Sequence, residues 1–593
     1  MQDVEQPKPI SISKLGTCSS FSPSDDYAVR DDGVFVNQSN KNNNSRHLER
    51  ITYKPAIPVG LMRSQQGNSG WAIRVAYTNF DGQPCTLDFE FSDMHNERGS
   101  ISSVLTEQGF PLVMGKIKLL CKYLTDHFEG LPRITTVNRL GWLDDEMAFM
   151  MPSGAISASP LKNEYAYQPK DKNSSDVFAT SGTLTQWQDN VLAPVSTINF
   201  GLFTLLAAFS SCLLKPLKLE SGGFNLWGAS SKGKTASLQG YASVWGNGGT
   251  TGSGSTGVFI KNWNATSRGI ETLPPSRSGT GMALDELGLA DDKTFTSSVY
   301  TIAEGMGSLV MDQNRNAVQP TQWTIMFISS AEMSMREKIK MGGKKFKPGM
   351  AVRLIDIPLD GFNGDDDALL VNSDRKVTVE KIKRSASQFY GHAGPAFIKK
   401  LTEQFSTFEQ MYENLAARHQ ALAQSYYDDS MSSEHYRIID RFALVELAGT
   451  LAVEYGVLNI TQGQVESAVF DAINAWYGSE ETVDEGTRAI ENVGAYITKH
   501  LLRFRSTDDD DIEANQDNIG FKKDGLFLLS KEHLAKASDG ISINITKKAL
   551  MDAGLLHTHS TEKDKRYTCR IKVEGVGRLN FFAIKDTIIA THQ

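Results

Sequence analysis

At 593 residues the chain is too long for a single hydrophobic core and implies three or four domains, while 40% apolar and 22% charged residues mark an ordinary soluble globular composition. A net charge of −8 excludes general attraction to nucleic acid, so any such binding has to come from local patches. Five scattered cysteines without a C-x-x-C pair fit a reducing compartment and give no zinc site, and a polar N-terminus with no signal pattern leads us to expect a cytoplasmic protein with no membrane span.

Residues 1 to about 30 are polar and expected to be mobile, and Asn37 to Arg46 is a low-complexity turn or loop. A hairpin follows. Trp71, Ile73, Val75 and Tyr77 alternate with their neighbours, Asp81-Gly82 makes the turn, and Cys85, Leu87, Phe89 and Phe91 alternate again. Ile117, Leu120, Cys121, Leu124 and Phe128 have helical spacing, with Gly141-Trp142 and Phe149 to Pro152 as strand edges. Residues 31–170 therefore read as an α+β domain without a catalytic constellation. Phe200 to Leu214 is the longest apolar run, but at about fifteen residues, with Gly201, Thr204, Ser210 and Ser211 inside it, it reads as a buried helix.

Gly228-Ala229-Ser230-Ser231-Lys232-Gly233-Lys234-Thr235 fits the pattern G-x-x-x-x-G-K-[ST]. Chance alone would produce such an octet in roughly one chain of this length in fifty, so context decides. A strand candidate, Gly223 to Trp227, precedes it and a helix candidate, Ala236 to Ala242, follows. In that order Gly228, Ser231 and Gly233 shape a backbone cradle for phosphates, Lys234 reaches the β- and γ-phosphates of ATP, and Thr235 holds Mg²⁺. The bland alternative is a small-residue turn. Six glycines between Gly246 and Gly257 suggest a connection rather than a second phosphate loop.

About fifty residues after Lys234, Met282-Ala283-Leu284 leads into Asp285-Glu286. A strand ending in two acids at this point would place Asp285 on Mg²⁺ and Glu286 where it activates water, although a strand-end turn has the same composition. The next strand, Trp323 to Ile328, ends in Ser329-Ser330, either of which would contact the γ-phosphate or cap the following helix. Between these strands, Ala303 to Gln322 with Arg315 near its polar tip suits a projecting hairpin. Arg336 to Lys347, including Lys344 and Lys345, is a basic loop that would meet DNA phosphates or simply be solvated. Arg353, at the start of the strand Leu354 to Pro358, would serve as an arginine finger in a neighbour's site or form an internal salt bridge.

This order of parts, with Ala242-Ser243-Val244-Trp245-Gly246, Leu284-Asp285-Glu286-Leu287-Gly288, Ser329-Ser330-Ala331-Glu332 and Arg353-Leu354-Ile355-Asp356-Ile357-Pro358, resembles the helicase-like ATPases carried by mobile elements, including the replicative helicases of cassette-type genomic islands. The resemblance extends to Arg139-Leu140-Gly141-Trp142, Tyr390-Gly391-His392-Ala393-Gly394 and Arg441-Phe442-Ala443-Leu444. It departs at Ala331, where glycine is expected, and at Ser308-Leu309-Val310, where basic residues are expected. The resemblance implies an α/β fold with an AAA+ P-loop ATPase core, related in design to MCM and superfamily 3 helicases, in residues 171–384. A helical lid spans 385–505. It also implies ATP and Mg²⁺ as ligands, a ring, hexameric by that analogy, and DNA in the pore. Arg437 and Arg441, one helical turn apart, offer a lid arginine for the γ-phosphate or a surface pair. Asp508 to Asp511 marks an acidic linker, 506–519. Residues 521–593 carry thirteen Lys/Arg against eight Asp/Glu and read as a winged helix, with Lys547 and Lys548 on its second helix facing DNA. A second reading of the whole is a nucleotide-controlled assembly protein or switch that does not unwind DNA.

Overall fold

The computed structural model describes residues 21–592 apart from 40–45, 66–69, 95–104, 106, 169–175, 230–232, 251–256, 265–266, 309, 312–316, 319, 363–371, 429–430, 480–484, 508–517, 558–567 and 574–576. Ser231, Arg315, the acidic run Asp508 to Asp511 and the tip Thr561 to Lys565 lie outside the described residues.

The N-terminal region is built on the alternating hairpin. Strands Ala72–Thr78 and Pro84–Glu90 pair antiparallel with Ile73 opposite Phe89, Val75 opposite Leu87 and Tyr77 opposite Cys85. The apolar sets that alternate in sequence thus share one face, which the helix Ile117–Thr125 covers with Leu120, Tyr123 and Leu124. The sheet is completed by Ala56–Ser64, Arg133–Val137 and Glu164–Tyr167. Tyr27–Arg30 is a strand paired with Gly33–Ser39, so the end of the stretch read as mobile is regular structure. Buried Tyr27 explains this: its ring packs on Tyr123 and its hydroxyl donates to Asp126 at 2.6 Å.

At the centre of the molecule is the helix Asn199–Leu214, buried from Phe200 to its end. Its polar residues are all satisfied, which is what makes burial tolerable. Thr204 and Ser210 donate to the carbonyls of Phe200 and Ala207, and Ser211 Oγ accepts from Met326 N at 2.7 Å. The indole of Trp142 donates to Cys212 O at 2.6 Å and that of Trp245 to Ala208 O at 2.8 Å, which ties the short strand Gly141–Trp142 to the core. Among the described residues, no helix is long and apolar enough to cross a membrane.

Against this helix lies a five-stranded parallel sheet. Its order across the sheet is Lys261–Asn262, Met282–Asp285, Met326–Ala331, Gly222–Trp227 and Leu354–Pro358. The near-continuous apolar character of its strands follows from cover on both faces. Helices Ala393–Gln404, Phe408–Ser425, Ser433–Glu454 and Gln462–Tyr477 follow.

The stretch read as the end of the helical region is helical to Arg503, and it packs on the C-terminal module. Helix Glu485–Lys499 turns Val493 and Ile497 into a core shared with Phe527, Leu534, Leu550 and Ile584, and Phe504–Ser506 pairs with Gly520–Lys523. An amphipathic helix is written alike whichever neighbour it covers, and here its apolar face meets the C-terminal module. That module comprises helices Lys531–Ala537 and Ile543–Asp552 and a sheet closed by Cys569–Val573 and Gly577–Lys585.

Candidate functional site

The strand Gly222–Trp227 leads into Gly228, and Gly233 caps the helix Lys234–Ser243 in a left-handed conformation, φ 96°. Any side chain there would be strained, which accounts for glycine at this position. Lys234 folds back so that Nζ donates to the carbonyls of Gly228 and Ala229 at 2.6 and 2.8 Å. It thus lies against Gly228 and Ala229, beside the N-terminus of a helix whose first amide groups attract anions.

Parallel pairing carries the next element to the same edge of the sheet. Strand Met282–Asp285 delivers Asp285, and Glu286 follows in the left-handed region, φ 58° and ψ 61°, at a cost of about 1–2 kcal/mol for a residue with a side chain. Asn262 Nδ2 donates to Glu286 Oε2 at 3.0 Å. The turn beyond is held by Lys338, a buried cation whose Nζ donates to Gly288 O at 2.7 Å and pairs with Asp292 at 2.7 Å.

The pleat separates the two serines. Ser330 Oγ donates to Asp285 Oδ1 and lies 3.4 Å from Glu286 N, whereas Ser329, fully buried on the opposite face, accepts from the Trp263 indole at 2.9 Å. Ser329 is therefore a packing residue.

Lys234, Thr235, Asp285, Glu286 and Ser330 line one open cleft of about 830 Å³. Its far wall, which sequence reasoning missed, is helix Asn372–Ala386, through Lys376, Val379, Glu380 and Lys383. The spacing of these four puts them on one helical face, yet nothing local says what that face covers. Asn262 was missed because its strand is two residues long and has no pattern. The cleft's oxygen donors, the Thr235 hydroxyl and the Asp285 carboxylate, suit Mg²⁺, which takes one or two protein oxygens and completes its shell with phosphate and water.

Arg437 and Arg441, read as candidate nucleotide contacts or as a surface pair, do not line this cleft of their own subunit. Arg441 donates to the carbonyls of Glu220 and Ser221 at 3.3 and 2.8 Å, where the central strand begins, and Arg437 pairs with Glu220 at 3.1 Å. A side chain at Gly222 would strike the Arg441 guanidinium, 2.1 Å from its ideal Cβ, so glycine makes room for the cation. From Gly222 to the loop is about 17 Å of strand. Burial pushes the Arg441 guanidinium down to about 10, with Glu220 opposing the shift. Arg441→Met is expected to cost about 2–3 kcal/mol in chemical denaturation, because two carbonyls lose a charged donor, while leaving nucleotide affinity unchanged.

Arg353 also sits at that remote end. Leu354 pairs with Gly223, placing Arg353 beside Gly222, and its guanidinium donates to Gly349 O at 2.9 Å and lies 4.5 Å from the Tyr300 ring centroid. The hairpin exists as strands Val310–Met311 and Ala317–Val318. Lys344 and Lys345 are exposed after helix Met335–Met341, with Lys344 donating to Lys293 O. On helix Ile543–Asp552, Lys548 is exposed and Lys547 half-buried.

Residues 27–320 match a family described as "Domain of unknown function (DUF927)". No curated protein matches the chain. Among solved structures the chain is similar to one described as "SCCmec type IV Cch - active helicase", with 17% identity over 97% of this chain and 100% of that one and a TM-score of 0.67. Two structures of the NrS-1 C-terminal region cover 88% of this chain at 9% and 7% identity, with TM-scores of 0.30. The chain thus has the fold of the cassette-chromosome helicase, and the resemblance to mobile-element helicase-like proteins read from its sequence is shown in its architecture.

Proposed function

We propose that the protein is an AAA+ ATPase that works as a ring, hydrolyses ATP between subunits and uses the turnover to unwind DNA in the replication of a mobile element. The observation that carries this reading is the convergence of Lys234, Thr235, Asp285, Glu286 and Ser330 in one cleft, while Arg353 stands at the other end of the same sheet. In this reading Gly228, Ser231 and Gly233 supply loop amides to the phosphates, and Lys234 leaves its own carbonyls to meet the β- and γ-oxygens. Thr235 and Asp285 would hold Mg²⁺, whose contribution is to neutralise charge on the transferring phosphoryl group. Glu286 orients and deprotonates water, Ser330 fixes the Asp285 carboxylate, and Arg353 completes a neighbour's site.

The hairpin Ala303 to Gln322, Arg315 included, and the basic loop with Lys344 and Lys345 are proposed to contact a single strand in the pore. The C-terminal module is proposed as a winged helix that meets duplex DNA through Lys547 and Lys548. A forked-duplex strand-displacement assay tests the reading. The wild type should release the strand continuously with ATP, its turnover should rise with single-stranded DNA, and Lys234→Ala should abolish both. ATP turnover indifferent to DNA, with no strand released, would replace this reading by that of a nucleotide-controlled assembly protein.

A further inference from the structure

Two walls make the cleft, and only one of them belongs to the phosphate loop and acid strand. The other is the helix Asn372–Ala386. Its C-terminal half is anchored: Ile382 and Ala386 are buried in the main core, and Ala386 O accepts from Gly248 N at 3.2 Å. Val379, one turn earlier, meets the phosphate loop itself, its Cγ2 3.4 Å from where a Cβ on Gly233 would lie. The helix is thus fixed against the position where phosphate oxygens would sit. Lys376, Val379, Glu380 and Lys383, at successive spacings of three, one and three, share the face that looks into the cleft.

The two lysines on that face differ. Lys383 Nζ is engaged by Glu380 at 2.9 Å and holds that carboxyl below its ordinary value, with Lys376 adding a smaller effect of the same sign. Among the described residues Lys376 takes no ion-pair partner, and it is exposed at the cleft's edge. Among the described residues, the acids lining the cleft, Asp285, Glu286, Glu332 and Glu380, outnumber its cations Lys234, Lys376 and Lys383, one of which is already paired. A triphosphate bound there brings further negative charge, concentrated on the terminal phosphate, and needs a cation opposite Lys234. With Arg437 and Arg441 at the far end of the sheet, the helix wall supplies the cations that face Lys234 among the described residues.

We propose that Lys376 is a nucleotide-binding residue that contacts the terminal phosphate from within the same subunit and makes the cleft distinguish a triphosphate from a diphosphate. This rests on the reading of the cleft as an ATP site. Binding of a non-hydrolysable ATP analogue and of ADP, each with Mg²⁺, is to be measured on the full chain as wild type, Lys376→Ala, Lys376→Arg and Lys383→Ala. Lys376→Ala is expected to weaken the triphosphate analogue by about tenfold or more and to leave ADP within about twofold, the loss of one charge-assisted contact. Lys376→Arg should recover most of the loss, and Lys383→Ala should spare the ATP-over-ADP preference.

Equal weakening of both nucleotides by Lys376→Ala, or none, overturns the assignment, as does a selective loss of triphosphate binding in Lys383→Ala instead. Wild-type protein that binds neither nucleotide would sink the ATP-site reading itself, an outcome separate from a wild type that binds both while Lys376→Ala leaves it unchanged. Because Lys376 is exposed and outside the core, its replacement leaves the fold intact, and the unaltered ADP affinity serves as the internal control.

Discussion

Glu286→Gln is expected to lower ATP turnover by about 10²–10⁴-fold while leaving nucleotide binding nearly unchanged. The substitution keeps the length of the side chain and an oxygen that can accept from Asn262 Nδ2, now 3.0 Å from Oε2, so the left-handed turn and its packing are retained. What it removes is the carboxylate that would take a proton from water. Binding of labelled ATP and single-turnover hydrolysis, measured on the same preparation, separate the two effects. Loss of binding together with turnover would make Glu286 a residue that shapes the cleft, and undiminished turnover would assign the base to another group. The strain at φ 58° gives the position a purpose in this account: an extended residue after Asp285 would continue the strand, whereas the turn aims the carboxylate across the cleft that Lys234 and Thr235 enter from the other side.

The parts of the proposed site that are written locally carry their pattern in the sequence. A phosphate loop needs glycine where φ is positive and a lysine and hydroxyl at fixed offsets, and Gly233, Lys234 and Thr235 declare that within one octet. The hairpin from Ala72 to Glu90 was legible for a similar reason, since a period of two survives without knowledge of what the face packs on. What was not legible depends on neighbours remote in sequence. Ser329 and Ser330 are chemically identical, and only Trp263, bonded to Ser329 from across the sheet, shows which face is core. Arg437 and Arg441 were rightly placed on one helical face. That face covers the start of the central strand rather than its end, because the carbonyls of Glu220 and Ser221, which the strand ladder leaves for a donor, lie there. Helix Asn372–Ala386 carries its four cleft residues among charged neighbours, so its pattern does not distinguish a wall of the site from a solvated surface.

Arg353→Ala is expected to reduce turnover by about 10³–10⁵-fold without loss of ATP binding, the effect of withdrawing an arginine from the transition state of phosphoryl transfer. Within its own subunit Arg353 stands beside Gly222, about 17 Å of strand from the loop, so it has no path to the phosphates its own chain holds. Its guanidinium donates to Gly349 O and rests near the Tyr300 ring, contacts that hold it at the end of helix Pro348–Arg353, and among the described residues no carboxylate pairs with it. A cation presented in this way serves catalysis only in a site completed by a second copy of the chain. Mixing supplies the decisive measurement. Lys234→Ala retains Arg353 but lacks a working phosphate loop, and Arg353→Ala retains the loop but lacks the arginine, so mixed assemblies should recover turnover that neither variant has alone. If the mixture stays inactive while each variant still assembles with wild type, Arg353 acts within its own chain, and its part is to hold the helix Pro348–Arg353 against Tyr300.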